Sequence, residues 1–388
     1  MCDLSAQFTR ELLLKRTQLI SIIEFPKIPE NSEEKVFDSV LQGTCIVLFS
    51  KSEPSENHKF IISSDNSSKS MEDLQVSTIC QRDLLNLYPV GFFIPLVKPF
   101  EFNILRKVIK DSKKLKEFIV EISQGDFNLT SHKQNFSNEI TPVKLYRGKN
   151  IHRFYLDKNT NEFLDINFKT EQQAKNIKLN YLVSQNITGT VDKFRLHFAL
   201  TPTNERFLFG HTVNKMLLKE SANNLFILGL LNSSILDWIF RKTSTNNHVN
   251  SYEIEELPIP TATVAEQKAI ETLVGYVLHL TADLKDIPSS GKEFMASADD
   301  QLMLSYFEQI IDAAVMELYL PEELHAGDKY FMRHLLQENL PNIDKIKGDK
   351  ITELRVIFRR LFDRDHPIRN NIYFLGNLDI VKIIRGQT

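Results

Sequence analysis

Residues 228–260 read Leu-Gly-Leu-Leu-Asn-Ser-Ser-Ile-Leu-Asp-Trp-Ile-Phe-Arg-Lys-Thr-Ser-Thr-Asn-Asn-His-Val-Asn-Ser-Tyr-Glu-Ile-Glu-Glu-Leu-Pro-Ile-Pro. Leu225, Leu228, Leu231, Ile235 and Trp238 recur at the spacing of one helix face. They predict a single helix over 223–240 with a wide apolar side. The stretch from Arg241 to His248 is almost wholly hydrogen-bonding and predicts a polar loop. Pro258-Ile259-Pro260 closes the segment, and a different pattern begins beyond it.

On the N-terminal side, from about Pro142, short apolar and aromatic runs alternate with turn residues: Val143–Tyr146, Phe154–Leu156, Tyr181–Val183 and Phe194–Leu200. This predicts a mostly β module interrupted by the one helix. On the C-terminal side the spacing is helical. Ile270, Leu273, Val274, Val277, Leu278 and Leu284 form one stripe, and Phe307, Ile310, Ile311, Ala314, Val315 and Leu318 another, with Ser289-Ser290-Gly291 between them. Ile351–Phe362 reads as a last helix, and Ile372–Leu375 with Ile380–Ile384 as two terminal strands. The N-terminal hundred residues read as a helix over Leu4–Leu19, then strands at Ile20–Phe25, Cys45–Phe49 and Lys59–Ile62. Ser52–His58 and Ser63–Ser70 read as polar turns. The apolar run Cys45–Phe49 predicts burial on both faces. After Pro99, Ile104, Leu105, Val108, Ile109, Leu115, Phe118, Ile119 and Ile122 predict one lysine-coated amphipathic helix, broken at Gly125. The fold class expected is therefore α/β plus α+β. Its divisions are a partial sheet over 1–100, a helical connector over 101–140, a mostly β module with an inserted helix over 141–260, and a helical region with short terminal strands over 261–388.

The 388 residues are 42% hydrophobic and 25% charged with a net charge of −3, so any anion-binding surface must be local. The three cysteines (Cys2, Cys45, Cys80) show no CxxC spacing, and no apolar run approaches membrane-spanning length. Together these point to a soluble protein of the reducing cytoplasm. The 13 glycines contain no Gly-x-Gly pair, and there is no P-loop, HExxH, Asn-Pro-Pro-Tyr or Asp-Pro-Pro-Tyr. The histidines are dispersed, and Glu266-Gln267-Lys268 lies on a helix face without a well-placed aspartate. No catalytic residue, metal site or cofactor is expected within the chain.

Between Lys144 and Lys242 there are 15 Lys/Arg against 8 Asp/Glu, a cationic excess in an otherwise acidic chain. Arg147, Lys149 and Arg153 gather about a turn; Lys193 and Arg195 flank Phe194, and Arg206 precedes another aromatic. Arginine forks match guanine edges, asparagine matches adenine, and lysine balances phosphate. Solvated hairpins and a solvated loop account for the composition equally well.

Residues 228–241 and 252–260 resemble a hallmark of the target recognition domains of Taq-type adenine methyltransferases and type IIG restriction enzymes: a helix reading LLNS, a polar loop, and a strand ending LPIP. Gln124-Gly125-Asp126-Phe127-Asn128-Leu129-Thr130 and Leu145–Phe154 resemble two further elements of that family, in the same order. The resemblance implies that Glu11–Phe25, Val36-Phe37 and Thr44–Phe49 are the tail of a methyltransferase sheet, with the cofactor loop and adenine pocket lying before Met1. It implies double-stranded DNA as ligand, a methyltransferase domain or chain as partner, and S-adenosylmethionine as cofactor of the complete enzyme. The DNA-binding candidates are Asn128, Arg147, Lys149, Arg153, Lys193, Arg195 and Arg206, with Arg241, Lys242, Thr245, Asn246, Asn247 and His248 of the loop. A stand-alone specificity subunit and a non-DNA interaction module are the alternatives. The C-terminal helices are expected to pack on the recognition module.

Overall fold

The computed structural model describes residues 6–25, 43–63, 74, 76–95, 97–190, 192–244, 247–285 and 298–387. The expected start of the first helix at Leu4, the Val36-Phe37 strand, most of the 63–70 turn and Ser289–Gly291 lie outside them. The described residues are mixed α and β and fall into two compact units, 1–112 with 239–247, and 113–238 with 248–388.

In the first unit, helix Gln7–Arg16 leads into a four-stranded mixed sheet ordered Thr44–Ser50, Gln18–Phe25, Lys59–Ser63, Ser77–Cys80. The central pair is parallel and the outer pairs antiparallel. Leu13, Leu14, Ile22, Phe60, Ile62, Ile79 and Leu84 are buried on one side of it. The Gln81 amide donates to the carbonyls of Leu13, Leu14 and Thr17, closing the end of the first helix against the next one. The run 45–49 is a strand, as read, but not one buried on both faces. It is an edge, and Ile46, Leu48 and Phe49 are about half exposed. Pro99 begins the next helix, Pro99–Lys110, because a proline at N1 sacrifices no helical hydrogen bond.

The second unit corrects the amphipathic reading of 104–122. The helix ends at Lys110, and Ile119–Gln124 is a strand paired antiparallel with Val213–Leu218. The β-branched Ile119, Val120 and Ile122 favour extended backbone, and the apparent helical spacing only joined them to an earlier helix. The second half of the 101–140 connector thus belongs to the β module. That module has two four-stranded sheets. One is ordered Phe198–Leu200, Leu182–Gln185, Val213–Leu218, Ile119–Gln124; the other Arg206–Phe209, Val143–Tyr146, Phe163–Leu164, Phe136–Ser137. A hairpin of Ile151–His152 and Tyr155–Leu156 accompanies them. Two cores fill the module, one around Tyr146, Tyr181, Phe207 and Phe209, the other around Phe127, Leu145 and Leu208. A further helix, Thr170–Lys178, was not expected. It has no apolar stripe, and buries Gln173 and Asn176 instead.

The helix expected over 223–240 is two helices, Asn224–Leu231 and Ser234–Thr243, divided at Asn232-Ser233. Asn223 caps the first by accepting from Phe226 N (3.0 Å). Asp312 caps the second through Ser234 N (2.7 Å) and Ser234 Oγ (2.9 Å). Gly229 lets the first pack closely on helix Val264–Lys285, since a Cβ there would meet Ile270 Cγ2 at 2.9 Å. The expected packing of the C-terminal helices against the module is what the structure shows. The two terminal strands are not present: Pro367–Leu375 and Asp379–Ile384 are helices, the first opened by Pro367 at N1 and a His366 cap on Ile368 N. Short apolar runs fit either conformation, and these helix-start residues decide between them. Among the described residues no helix is long and apolar enough to cross a membrane.

Candidate nucleic-acid interface

The strand directions bring five segments to one end of the β module. Residues 125–132 follow strand Ile119–Gln124, 147–150 follow Val143–Tyr146, and 186–190 follow Leu182–Gln185. Residues 210–212 join Arg206–Phe209 to Val213–Leu218, and 247–249 arrive from the helix side. Backbone bonds lace them together. Phe127 N donates to Phe209 O, His211 N to Phe127 O, Gly210 N to Tyr146 O, Asn186 N to Thr212 O, and Val249 N to Asn186 O, each at 2.8 Å. Gly148 N donates to Thr212 Oγ1 (3.0 Å). Gly125 is required by this lacing: a Cβ there would lie 2.1 Å from Gly210 O.

Polar residues of the motifs and the strand ends hold this platform, among them the candidate Asn128. Asp126 accepts from Asn176 Nδ2 (3.3 Å) and Phe209 N (3.2 Å) and forms a buried ion pair with Lys215, both side chains 6% exposed. Asn128 is exposed, but its Oδ1 accepts from Thr130 N (2.8 Å) and Ser131 N (3.3 Å), so it shapes the turn. Asn232 behaves as a piece of strand: it accepts from Phe198 N and donates to Phe198 O, both at 3.0 Å. Asp237 accepts from Arg195 N (2.6 Å) and Leu196 N (2.8 Å). Asn186 and Asn214 both donate to Val249 O, at 3.2 and 2.7 Å. The LLNS segment is therefore an anchor between helix and sheet.

The cationic candidates separate by place. Arg147 and Lys149 share Glu162, at 2.7 and 3.6 Å, and Lys149 is 66% exposed. Arg153 stacks over Phe194, its Cζ 3.9 Å from the ring centroid, and donates to Asn232 O, while the exposed Lys193 lies 5.5 Å from the same ring. Arg153 is presented by a hairpin tip at which Phe154 adopts φ +61°, a conformation held by Phe154 N donating to Phe198 O (2.8 Å). Arg195 is 1% exposed, and its guanidinium bonds Thr188 Oγ1 and His248 O. It is a bolt inside the module. Arg206 is exposed but begins its strand, at the opposite end from the loop cluster.

The expected polar loop is shorter than 241–248. Arg241 and Lys242 occupy the last turn of helix Ser234–Thr243, and Lys242 is paired with Glu101 at 2.6 Å. Thr245 and Asn246 lie outside the described residues. Asn247 is exposed, and His248 bridges to Ile187 with its Nδ1 3.3 Å from Asn186 Oδ1. The strand expected before LPIP is confined to Pro258–Pro260; Ser251–Glu255 is a helical turn with an Asn250–Glu253 capping box. His211, in the turn between strands Arg206–Phe209 and Val213–Leu218, carries no motif signal in the sequence.

The β framework gathers turns with Arg147 and Lys149 at one end, and loops on a rigid scaffold are where binding residues are disproportionately found. Residues 143–259 match the family of TaqI-like C-terminal specificity domains, and this similarity supports a TaqI-like target recognition domain in that part of the chain. It is the kind of module that provides DNA sequence specificity in restriction–modification systems. No curated protein matches the chain. The matched span stops short of 119–131, which the structure nevertheless weaves into the same sheets and turns.

Proposed function

We propose that the β module selects the DNA target of a type IIG-like, adenine-specific restriction–modification methyltransferase. Its S-adenosylmethionine site and adenine pocket are supplied by another segment or polypeptide. The observation that carries this reading is the specificity-domain match over 143–259, on a module whose strand ends converge into a laced turn cluster bearing Arg147 and Lys149. Methylating an adenine amine requires that the base leave the stack. A gripping module must meanwhile fix register through phosphates and choose sequence through base edges. Lys149 and Lys193 are exposed counter-charges for phosphate, and Arg147 and Arg153 are held as oriented forks. S-adenosylmethionine would supply the methyl group, but the glycines and side chains of this chain do not make the usual loop for it, so no step through it is assigned to these residues.

The first unit supports a protein partner. Ile46, Leu48 and Ile61 share a face by strand register with Ser21 and Ile23, and each of the three is more than 40% exposed. A mixed sheet can leave one face to water, but a solvated face is normally polar, and an exposed apolar one is of the kind a partner covers. A methyltransferase body is the partner this reading assigns, and the cytoplasm its compartment.

Fluorescence anisotropy of the full chain with a random 20-base-pair duplex tests the DNA half of the reading. Binding should weaken steeply with salt, each phosphate contact adding about 0.9 to the log–log slope. No salt-sensitive binding below about 100 µM would contradict it. Methyl transfer from labelled S-adenosylmethionine should require an added catalytic chain; transfer by this chain alone would overturn the division of labour.

A further inference from the structure

We infer that His211 is a base-reading residue of the specificity module. The inference rests on the DNA-recognition reading above and goes further, by naming a specificity determinant that no motif marks. His211 sits in the turn between strands Arg206–Phe209 and Val213–Leu218, in the middle of the converging segments. Its backbone is fixed by its own bond to Phe127 O and by the bonds of Gly210 and Thr212 on either side. A rigid backbone at a tip is what accurate base readout needs, because the side chain then meets the ligand without ordering a loop.

The imidazole itself is uncommitted. Neither ring nitrogen has a hydrogen-bond partner among the described residues, and Nδ1 is enclosed as well as unpaired. The other described histidines of the module are occupied. His132 bonds Asn128 N, His197 bonds Phe194 O, His248 bonds Asn186, and His152 stacks on Tyr155. Because Nδ1 is enclosed, the ring atom open to a ligand is Nε2, which no group of the turn occupies.

The neighbours suit duplex DNA. The Arg147 stem crosses the turn, its Cγ 3.4 Å from where a Cβ on Gly210 would lie, and Gly148, which carries the chain on to exposed Lys149, is bonded to Thr212. With Nδ1 enclosed, the ring can meet DNA through Nε2, which can donate to or accept from one group on a base edge in a groove. The flanking cations answer the phosphates on either side.

The test is selection from a pool of randomised 20-base-pair duplexes with the full chain, as wild type, His211→Ala and His211→Phe, each melted in parallel. The wild type should enrich one sequence. Both variants should lose preference at the same one or two adjacent positions, with about a tenfold drop in discrimination there and a smaller loss of affinity for random duplex. His211→Phe keeps a ring in place and removes both nitrogens, so it carries the readout if His211→Ala melts early. Variants that keep the wild-type preference at every position overturn the inference while leaving the DNA reading intact. If both variants unfold, the ring is a packing element and the inference also falls. A wild type that enriches nothing sinks the DNA reading itself.

Discussion

The sheet of the first unit and the sheets of the β module are made of the same kinds of residue and finished differently. The first fills one face with Leu14, Ile22, Phe60 and Ile62 and leaves Ile46, Leu48 and Ile61 open on the other. The second buries Tyr146, Tyr181, Phe207 and Phe209 completely and pairs the polar groups it buries, Asp126 with Lys215 and Asn232 with Phe198. Buried polar groups held by specific partners favour one arrangement of chain, which suits a surface that must hold a register on DNA. An open apolar face suits a layer that another polypeptide completes.

The contrast breaks first at the laced end. Gly125→Ala places a Cβ 2.1 Å from a carbonyl oxygen and should cost more than about 4 kcal/mol. Urea unfolding followed by circular dichroism would show the module melting early, and a near-normal midpoint would mean that the strands are not so closely laced. Next is Lys215→Met, which strands the Asp126 carboxylate inside the module. Removing one partner of a buried pair costs about 3–5 kcal/mol, and the double variant Lys215→Met with Asp126→Asn should recover part of it. A single variant as stable as wild type would show that the pair is hydrated.

Acid should separate the regions more gently. Burial holds the His197 imidazole below the ordinary histidine value of 6.5. The unfolded chain therefore binds the proton first, and stability falls with falling pH. The contribution of His197 is complete above pH 6.5 and is lost as the pH drops through the lower, folded value. His197→Gln should flatten the midpoint-against-pH curve on the acid side, and an unchanged curve would place the acid sensitivity elsewhere. The smallest expected effect on stability is Leu48→Asp, at a half-exposed edge position. It should move unfolding by no more than about 0.5 kcal/mol and yet abolish co-purification with a methyltransferase chain. Retained co-purification would remove the exposed face from the account.

Legibility followed the kind of force that shaped each segment. Apolar periodicity revealed the long C-terminal helices and the strands at 18–25, 143–146 and 182–185, because burial of a stripe or an alternation is written directly in residue type. It failed where polar anchoring decides. Helix Thr170–Lys178 has no stripe and is tied down by Asn176 on Phe207 O (3.1 Å), and the break at Asn232-Ser233 is set by Asp312, 78 residues away in sequence from the Ser234 it caps. The same limit governed the site. Arg147, Lys149, Arg153 and Lys193 were legible as cations near turns. The burial of Arg195, the pairing of Lys242 with Glu101 and the isolation of the His211 imidazole depend on partners far along the chain. LLNS lies within the matched span and GDFNLT outside it, and the roles the structure gives Asn232, Asp237, Asp126 and Asn128 are capping and anchoring.

Hydrogen–deuterium exchange of the full chain, with and without a saturating duplex, tests most directly where DNA is met. Protection should appear in 125–132, 147–153 and 208–213, and not at the Arg206 start of its strand or in helices Lys350–Leu361 and Pro367–Leu375. Protection confined to those helices, with the turn cluster exchanging as freely as before, would contradict the account.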